Sequence, residues 1–324
     1  MSNRILMTGV GAYLPEKIIT NDDLAQWVDT SDEWIKQRTG IAQRHMVADG
    51  ELTSDLAINA ANEALNHAGV AASDIDLIVV ATTTPDDTFP STATKVQHKL
   101  GANKAFAFDV QAVCAGFVYA LSVAESMMIA QKAKKALVIG AESFTKLLDW
   151  NDRGTCVLFG DGAGAVVLEA EEAPDNYGIL ASSLHSDGAY RDILYVDGGP
   201  SVNGEVGHVR MEGQDVFRHA VDKLASVMQE VLDQAGISAD EVDWLVPHQA
   251  NIRIINGMQR KFGLSSERVV RTVDKHANTS AASIPLALSQ AVHDGRIQPG
   301  DLLALEAIGG GLAWGGALVR FGRP

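Results

Sequence analysis

The chain has 324 residues, 46% hydrophobic and 21% charged, long enough for two domains or for one duplicated fold around a large core. Its net charge of −15 works against nucleic acid and anionic membrane surfaces, so neither is an expected partner, and an acidic protein partner must meet a local basic patch. No apolar run approaches the ~18 residues of a membrane span, Met1–Gly9 lacks the pattern of a secretory leader, and two cysteines make neither a disulfide framework nor a zinc site, so a cytoplasmic protein without a metal is expected.

Thr30-Ser-Asp-Glu-Trp-Ile-Lys-Gln-Arg38 opens a helix with Thr30 and Glu33 at capping-box spacing, and it sets Trp34 and Arg38 one turn apart on one face. Glu63 to Val79 reads as a helix stopped by Gly69, a turn and a buried strand. Asp109-Val-Gln-Ala-Val-Cys-Ala-Gly-Phe117 reads as a short strand entering a helix, with Cys114 at the first helical turn. There the positive end of the helix dipole is expected to pull the thiol below the ~8.5 of free cysteine and favour the nucleophilic thiolate. Cys156 falls in an apolar stretch read as strand and is expected to be inert. Gly160-Asp-Gly-Ala-Gly-Ala165 is glycine-rich but lacks dinucleotide-binding spacing, so it reads as a tight turn.

Glu230 to Val246 repeats the Glu63–Val79 pattern at an offset of 167 residues, with Ala235-Gly236 on Ala68-Gly69 and Asp243 on Asp76. The same offset sets Ala287-Leu288 on Ala120-Leu121, and residues 304–306 on 137–139. Gly316–Arg320 then matches Gly164–Leu168 at an offset of 152, so the second half lacks a stretch of the first, read as Glu142 to Arg153. Three units in the same order imply a duplication. The reading divides the chain into 1–172 and 173–324, two α/β layered halves packed about a pseudo-two-fold axis with their loops converging on one site.

Three loops of the second half could complete that site. The strand Trp244–Val246 runs into Pro247-His-Gln-Ala-Asn251, which puts His248 where a strand ends. In His276-Ala-Asn-Thr-Ser280, Asn278 lies just before Ala281, the counterpart of Cys114 under the 167 offset. Gly309-Gly-Gly311 follows the apolar run Leu302–Ala307 and lets backbone approach a substrate closely. Cys114 is thus a candidate nucleophile beside His248 and Asn278, and the Cys114 and Gly310 amides are a candidate oxyanion hole suited to acyl transfer.

Taken in order, Thr8-Gly-Val-Gly-Ala-Tyr-Leu-Pro15, the Cys114 run, Pro247–Asn251, His276–Ser280, Ala307-Ile-Gly-Gly-Gly311 and Ala317-Leu-Val-Arg-Phe321 strongly resemble β-ketoacyl-acyl carrier protein synthase III, the initiating condensing enzyme of bacterial type II fatty acid synthesis. The resemblance implies a duplicated thiolase-like fold in five layers, αβαβα. It implies decarboxylative condensation of an acyl-CoA primer, acetyl-CoA in the first place, with malonyl-acyl carrier protein, and no cofactor. Cys114 would carry the acyl group, with His248 and Asn278 hydrogen-bonding the malonyl thioester oxygen. For CoA it implies Thr30, Trp34, Arg38, Arg153 and Asn251, an indole and a guanidinium stacking about the adenine and Asn251 meeting the pantetheine.

The acidic carrier protein would dock on Arg253, Arg260 and Lys261, extended by Arg218, on a helix whose apolar face is Ile254, Ile255, Met258 and Phe262. Phe159 and Ile308 would line the acyl pocket, and Phe89 matches the residue that a homodimer partner reaches into its neighbour's tunnel. Two positions depart from the family pattern: Ala42 stands where many members carry a basic residue, and Ile308 where several carry an aromatic. A thiolase-fold relative of specialised metabolism with another acyl substrate, a cysteine thioesterase and a non-catalytic acyl-binding protein are the competing readings.

Overall fold

A computed structural model describes residues 2–324. Two sheets form its frame. The first runs in the order Ser2–Tyr13, Gly162–Ala173, Lys135–Glu142, Leu77–Ala81, Phe106–Val110, and the second in the order Gly178–Ser186, Ala313–Arg320, Leu302–Gly309, Trp244–Pro247. The strand order is the same twice, short of a fifth strand in the second sheet. There Val269 makes only a single parallel bridge to Leu245.

Leu77–Ala81 pairs in parallel with both of its neighbours and is buried at every position, which is why its sequence is apolar without alternation. Helices Gly116–Ile129 and Ser283–His293 share one core with Val79 and Val138 of the first sheet and Val246 and Leu305 of the second, so they form the central layer. Thr53–Ala68 and Thr92–Leu100 cover the outer face of the first sheet. Gly213–Ala235 and Ile252–Lys261 cover that of the second. The result is the five-layered αβαβα thiolase-like architecture.

The 167 offset holds at both ends of the paired strands Lys135–Glu142 and Leu302–Gly309, and of the paired 3-10 turns Val113–Ala115 and Ser280–Ala282. Even the backbone repeats, since Val113 and Ser280 both sit in the left-handed region at φ 49°. The stretch without a counterpart is placed differently from the sequence reading. Glu142 still belongs to its strand, and the extra length is residues 143–161 against 310–312 in the second half. With the hairpin Leu194–Gly199/Glu205–Met211 it builds a small fourth core around Phe144, Phe159 and Val209 above the ends of the strands.

Two local readings are corrected. The helix Asp32–Thr39 is capped by Ser31, whose side chain accepts the Trp34 N–H, while Thr30 Oγ1 is buried without a partner. The competing Ser lies one residue closer to the first helical turn and takes the capping role. Cys156 lies in a turn, not a strand, because the chain between Asp152 and Leu158 closes on itself through Cys156 N–H to Asp152 O and Leu158 N–H to Thr155 O. No helix among the described residues is long and apolar enough to cross a membrane.

Candidate active site

Cys114 is the middle residue of the turn that leads into the central helix Gly116–Ile129, and it is buried. A β-carbon on Gly309 would lie 2.6 Å from the Cys114 backbone nitrogen, so the glycine run lets the end of one strand press against the nucleophile's turn. The expected lowering of the thiol pKa is reversed. Burial pushes the Cys114 thiol up to about 12. Removing a thiolate from water outweighs the partial charge of one helix end.

His248 sits one residue past its strand, and its N–H donates to the Glu306 carbonyl (2.8 Å). Its ring is buried and its pKa falls to about 3, so it is neutral across the physiological range. Nδ1 is buried without a partner, which leaves Nε2 as the nitrogen available to the pocket. Asn278 is fixed through both its backbone and its side chain. Its N–H donates to Leu158 O (2.9 Å), its carbonyl accepts from Gly160 N–H (3.0 Å), and its Oδ1 accepts from Ser280 N–H (2.9 Å). With Oδ1 occupied, the NH2 end is the free end of the amide.

Cys114, His248 and Asn278 all line one pocket of about 440 Å³, together with Phe159, Ile308, Trp34, Arg38, Asn251 and Arg253. A buried thiol, a neutral imidazole and a free amide NH2 converge where the loops of the two halves meet. The arrangement joins one nucleophile to two uncharged donors.

Comparisons with known proteins bear directly on this constellation. Residues 108–188 match the family model 3-oxoacyl-[acyl-carrier-protein (ACP)] synthase III, and residues 232–321 match the model of its C-terminal part. The β-ketoacyl-[acyl-carrier-protein] synthase III of Rhodospirillum centenum is 62% identical over 99% of this chain and 100% of its own length, and that of Erythrobacter litoralis is 61% identical over 98% and 99%. The crystal structure of 3-oxoacyl-[acyl-carrier-protein] synthase III from Aquifex aeolicus VF5 superposes with a TM-score of 0.92 at 45% identity, covering 99% of this chain and 100% of that one. The chain belongs to the β-ketoacyl-acyl carrier protein synthase III family.

The other residues singled out by the family resemblance are distributed unevenly. Both Arg38 and Arg153 lie over the Trp34 ring, 4.8 and 5.0 Å from its centroid, so three side chains from two segments form one stacking platform at the pocket mouth. Asn251 caps the helix Ile252–Lys261, its Oδ1 accepting the Arg253 N–H (2.8 Å). Thr30 does not line the pocket. Arg218, Arg260 and Lys261 surround a separate shallow depression, whereas Arg253 turns toward the pocket and donates to Gln37 O (3.3 Å). Phe159 stacks on Phe144 with centroids 4.2 Å apart. Gly310 faces a neighbouring groove of about 950 Å³, separated from the catalytic pocket by Val113, Phe144 and Leu194, and Phe89 is 83% exposed outside both. Ala42 is tied by backbone alone, N–H to Asp274 O (2.9 Å).

Three residues that position the site escape sequence reasoning. Gln249 is fully buried; its Nε2 donates to Pro247 O (2.8 Å) and Val270 O (3.2 Å), and its Oε1 accepts from Thr272 N–H (2.8 Å), so it ties the His248 loop to the segment that leads to Asn278. Arg44 is fully buried, its pKa pushed down to about 10, and donates to Val157 O (2.9 Å) and Asn21 Oδ1 (2.8 Å), bracing the segment that pairs with Asn278. Ser280 is the third. It was legible in principle, since the 167 offset pairs it with Val113, next to the nucleophile.

Proposed function

We propose that the chain is a β-ketoacyl-acyl carrier protein synthase that takes an acyl group from acyl-CoA, acetyl-CoA in the first place, onto Cys114 and condenses it with malonyl-acyl carrier protein. The observation that carries this reading is the convergence of a buried thiol with two neutral donors, His248 and Asn278 Nδ2. In the first half-reaction the sulfur attacks the primer thioester, the bond to CoA breaks, and the thiol proton ends on the departing CoA sulfur. The Cys114 amide is assigned to the tetrahedral oxyanion, with the Gly310 amide as second donor although that residue borders the neighbouring groove across Val113.

In the second half-reaction the malonyl carbon–carboxylate bond breaks, carbon dioxide leaves, and the electron pair becomes an enolate. Neutral donors suit it: they stabilise charge on the thioester oxygen only as that charge develops. The enolate carbon attacks the acyl-Cys114 carbonyl and Cys114 is released as thiolate. Asn278 cannot exchange a proton, so its part is positional and electrostatic.

Trp34, Arg38 and Arg153 are assigned to the adenine of CoA and Asn251 to its pantetheine. Arg218, Arg260 and Lys261 are assigned to the acidic carrier protein, which suits a basic depression on a chain of charge −15. A homodimer is assigned to the edge formed by Phe106–Val110, which pairs on one side only. Exposed Phe106 and Phe89 lie on that strand and on the loop before helix Thr92–Leu100, Phe89 being the residue offered to the partner's pocket.

Single acyl-CoAs incubated with the protein should label Cys114 and spare Cys156, as read by peptide mass spectrometry. Burial pushes Cys156 up to about 11 and it is fully enclosed. Radiolabelled malonyl-carrier protein should then release carbon dioxide in step with primer consumption; free acid without carbon dioxide would mean a thioesterase.

A further inference from the structure

The glycine-rich run 160–165, read from the sequence as a tight turn, forms no turn: Gly160 and Asp161 end the 143–161 connection, and the strand Gly162–Ala173 begins directly after them. Asp161 is the only acid in the run and is fully buried. Its Oδ1 accepts from Thr145 N–H (2.8 Å), and its Oδ2 accepts from Thr145 Oγ1 (2.6 Å) and from Val47 N–H (2.9 Å). Its own N–H donates to His45 O (2.9 Å). The two ends of the connection are thus joined through Thr145 and Asp161, and the joint is tied to residues 45–47. Burial pushes the acid up to about 6 against the pull of those donors, so at neutral pH it is a carboxylate, which only accepts.

This joint reaches the chemistry through Asn278. Both backbone hydrogen bonds of Asn278 go to the residues on either side of Phe159, the N–H to Leu158 O (2.9 Å) and the carbonyl from Gly160 N–H (3.0 Å), with the two segments parallel there. Gly160 adjoins Asp161, so the carboxylate anchors the residue that holds Asn278. The packing is close enough to transmit position, because a β-carbon on Gly160 would lie 2.9 Å from His276 O and 3.0 Å from Arg44 Cβ. Arg44 braces the same segment further back, at Val157 O, and Asp161 fixes its forward end. Arg153 is held separately. Its turn is closed by Asp152, which accepts from Gly154 N–H (2.8 Å) and Thr155 Oγ1 (2.7 Å), and its guanidinium donates to Asp29 O (3.0 Å). The part of the connection assigned to CoA therefore has its own support.

We propose that Asp161 is a positioning residue for the condensation step: its carboxylate pins the end of the 143–161 connection to Thr145 and Val47, and the pinned segment fixes the Asn278 backbone from which Nδ2 is aimed at the malonyl group. The assignment rests on the role given above to Asn278.

Asp161→Asn keeps the shape of the side chain, but in either orientation of the amide one backbone N–H then meets an NH2. Condensation by enzyme already acylated at Cys114 is expected to fall about tenfold. Acylation of Cys114 by acetyl-CoA, and its KM, should stay within about twofold of wild type, because the Arg153 turn is supported independently. In an Asn278→Ala background the same change should cost condensation less than about twofold, since the residue it positions is gone. Thr145→Val removes one hydroxyl donor and little volume, so it guards against a folding defect in the first variant; its condensation should fall about threefold with acylation unchanged. Wild-type condensation in both single variants would overturn the assignment, as would an equal fall in acylation and condensation, or the same loss with and without Asn278. Failure of acetyl-CoA to label Cys114 in the wild-type protein would instead remove the reading of the site itself.

Discussion

The turns Val113–Ala115 and Ser280–Ala282 are one 3-10 turn built twice, each opening on a residue at φ 49° and each leading into a helix of the central layer. The middle residue is Cys114 in the first and Ala281 in the second, both buried; the residue before it is Val113 in the first and Ser280 in the second. Duplication therefore supplies two equivalent backbones, and the chemistry comes from where the side chains break the symmetry. One copy holds the Cys114 thiol, and the other holds the Ser280 N–H that meets Asn278 Oδ1. The same asymmetry recurs along the equivalent strands, where Ile139 of the first half corresponds to Glu306 of the second, and between strands, where residues 143–161 stand against 310–312.

The strongest way to break the comparison is to move the thiol. Cys114→Ala should lower condensation at least about a thousandfold, as loss of a covalent nucleophile does. Adding Ala281→Cys to that variant should not restore it, because position 281 does not line the pocket that His248 and Asn278 share. Recovery of acylation at position 281, read by mass spectrometry, would show that backbone alone suffices.

Asn278→Ala comes next. Condensation should drop about a hundredfold while acylation of Cys114 from acetyl-CoA stays near wild type, since the donor acts on the developing enolate. A parallel fall in both steps would place Asn278 in the support of Cys114 instead.

Glu306 tests the asymmetry of the strands through stability. Both of its carboxyl oxygens are buried without partners, and burial raises its pKa from 4.5 to about 8. Below about pH 4.5 both folded and unfolded chains hold the proton; as pH rises toward 8 the unfolded chain ionises first, so stability falls, by roughly 3 kcal/mol at neutrality. Glu306→Gln should remove that slope from urea unfolding measured at several pH values. An unchanged slope would assign it to other groups.

The smallest effect is expected from the connection present in one half only. Arg153→Ala should raise KM for acyl-CoA about tenfold with kcat little changed, because the stacking platform on Trp34 binds ground state and transition state alike.

Much of this was legible before any coordinates. The 167-residue offset predicts the paired strands and helices because hydrophobic period and glycine stops are local properties, written within one helix–strand unit at a time. Cys114, His248 and Asn278 were legible as well, since each follows an apolar strand or precedes a helix, where a chain exposes chemistry. Contacts across long separations were not. Ser280 meets Glu142 across 138 residues and Arg44 meets Val157 across 113, and no local pattern announces either bond.

What the sequence by itself determined is a duplicated α/β frame with Cys114, His248 and Asn278 on loops that meet, because both follow from local periodicity read twice, while the five layers followed from the family resemblance. Only the tertiary structure decided the protonation of those residues. The dipole argument predicted a lowered thiol, yet the sulfur is pushed up to about 12 and the imidazole down to about 3. Desolvation is the sum of everything packed around a group, and that sum exists only once both halves have folded onto it.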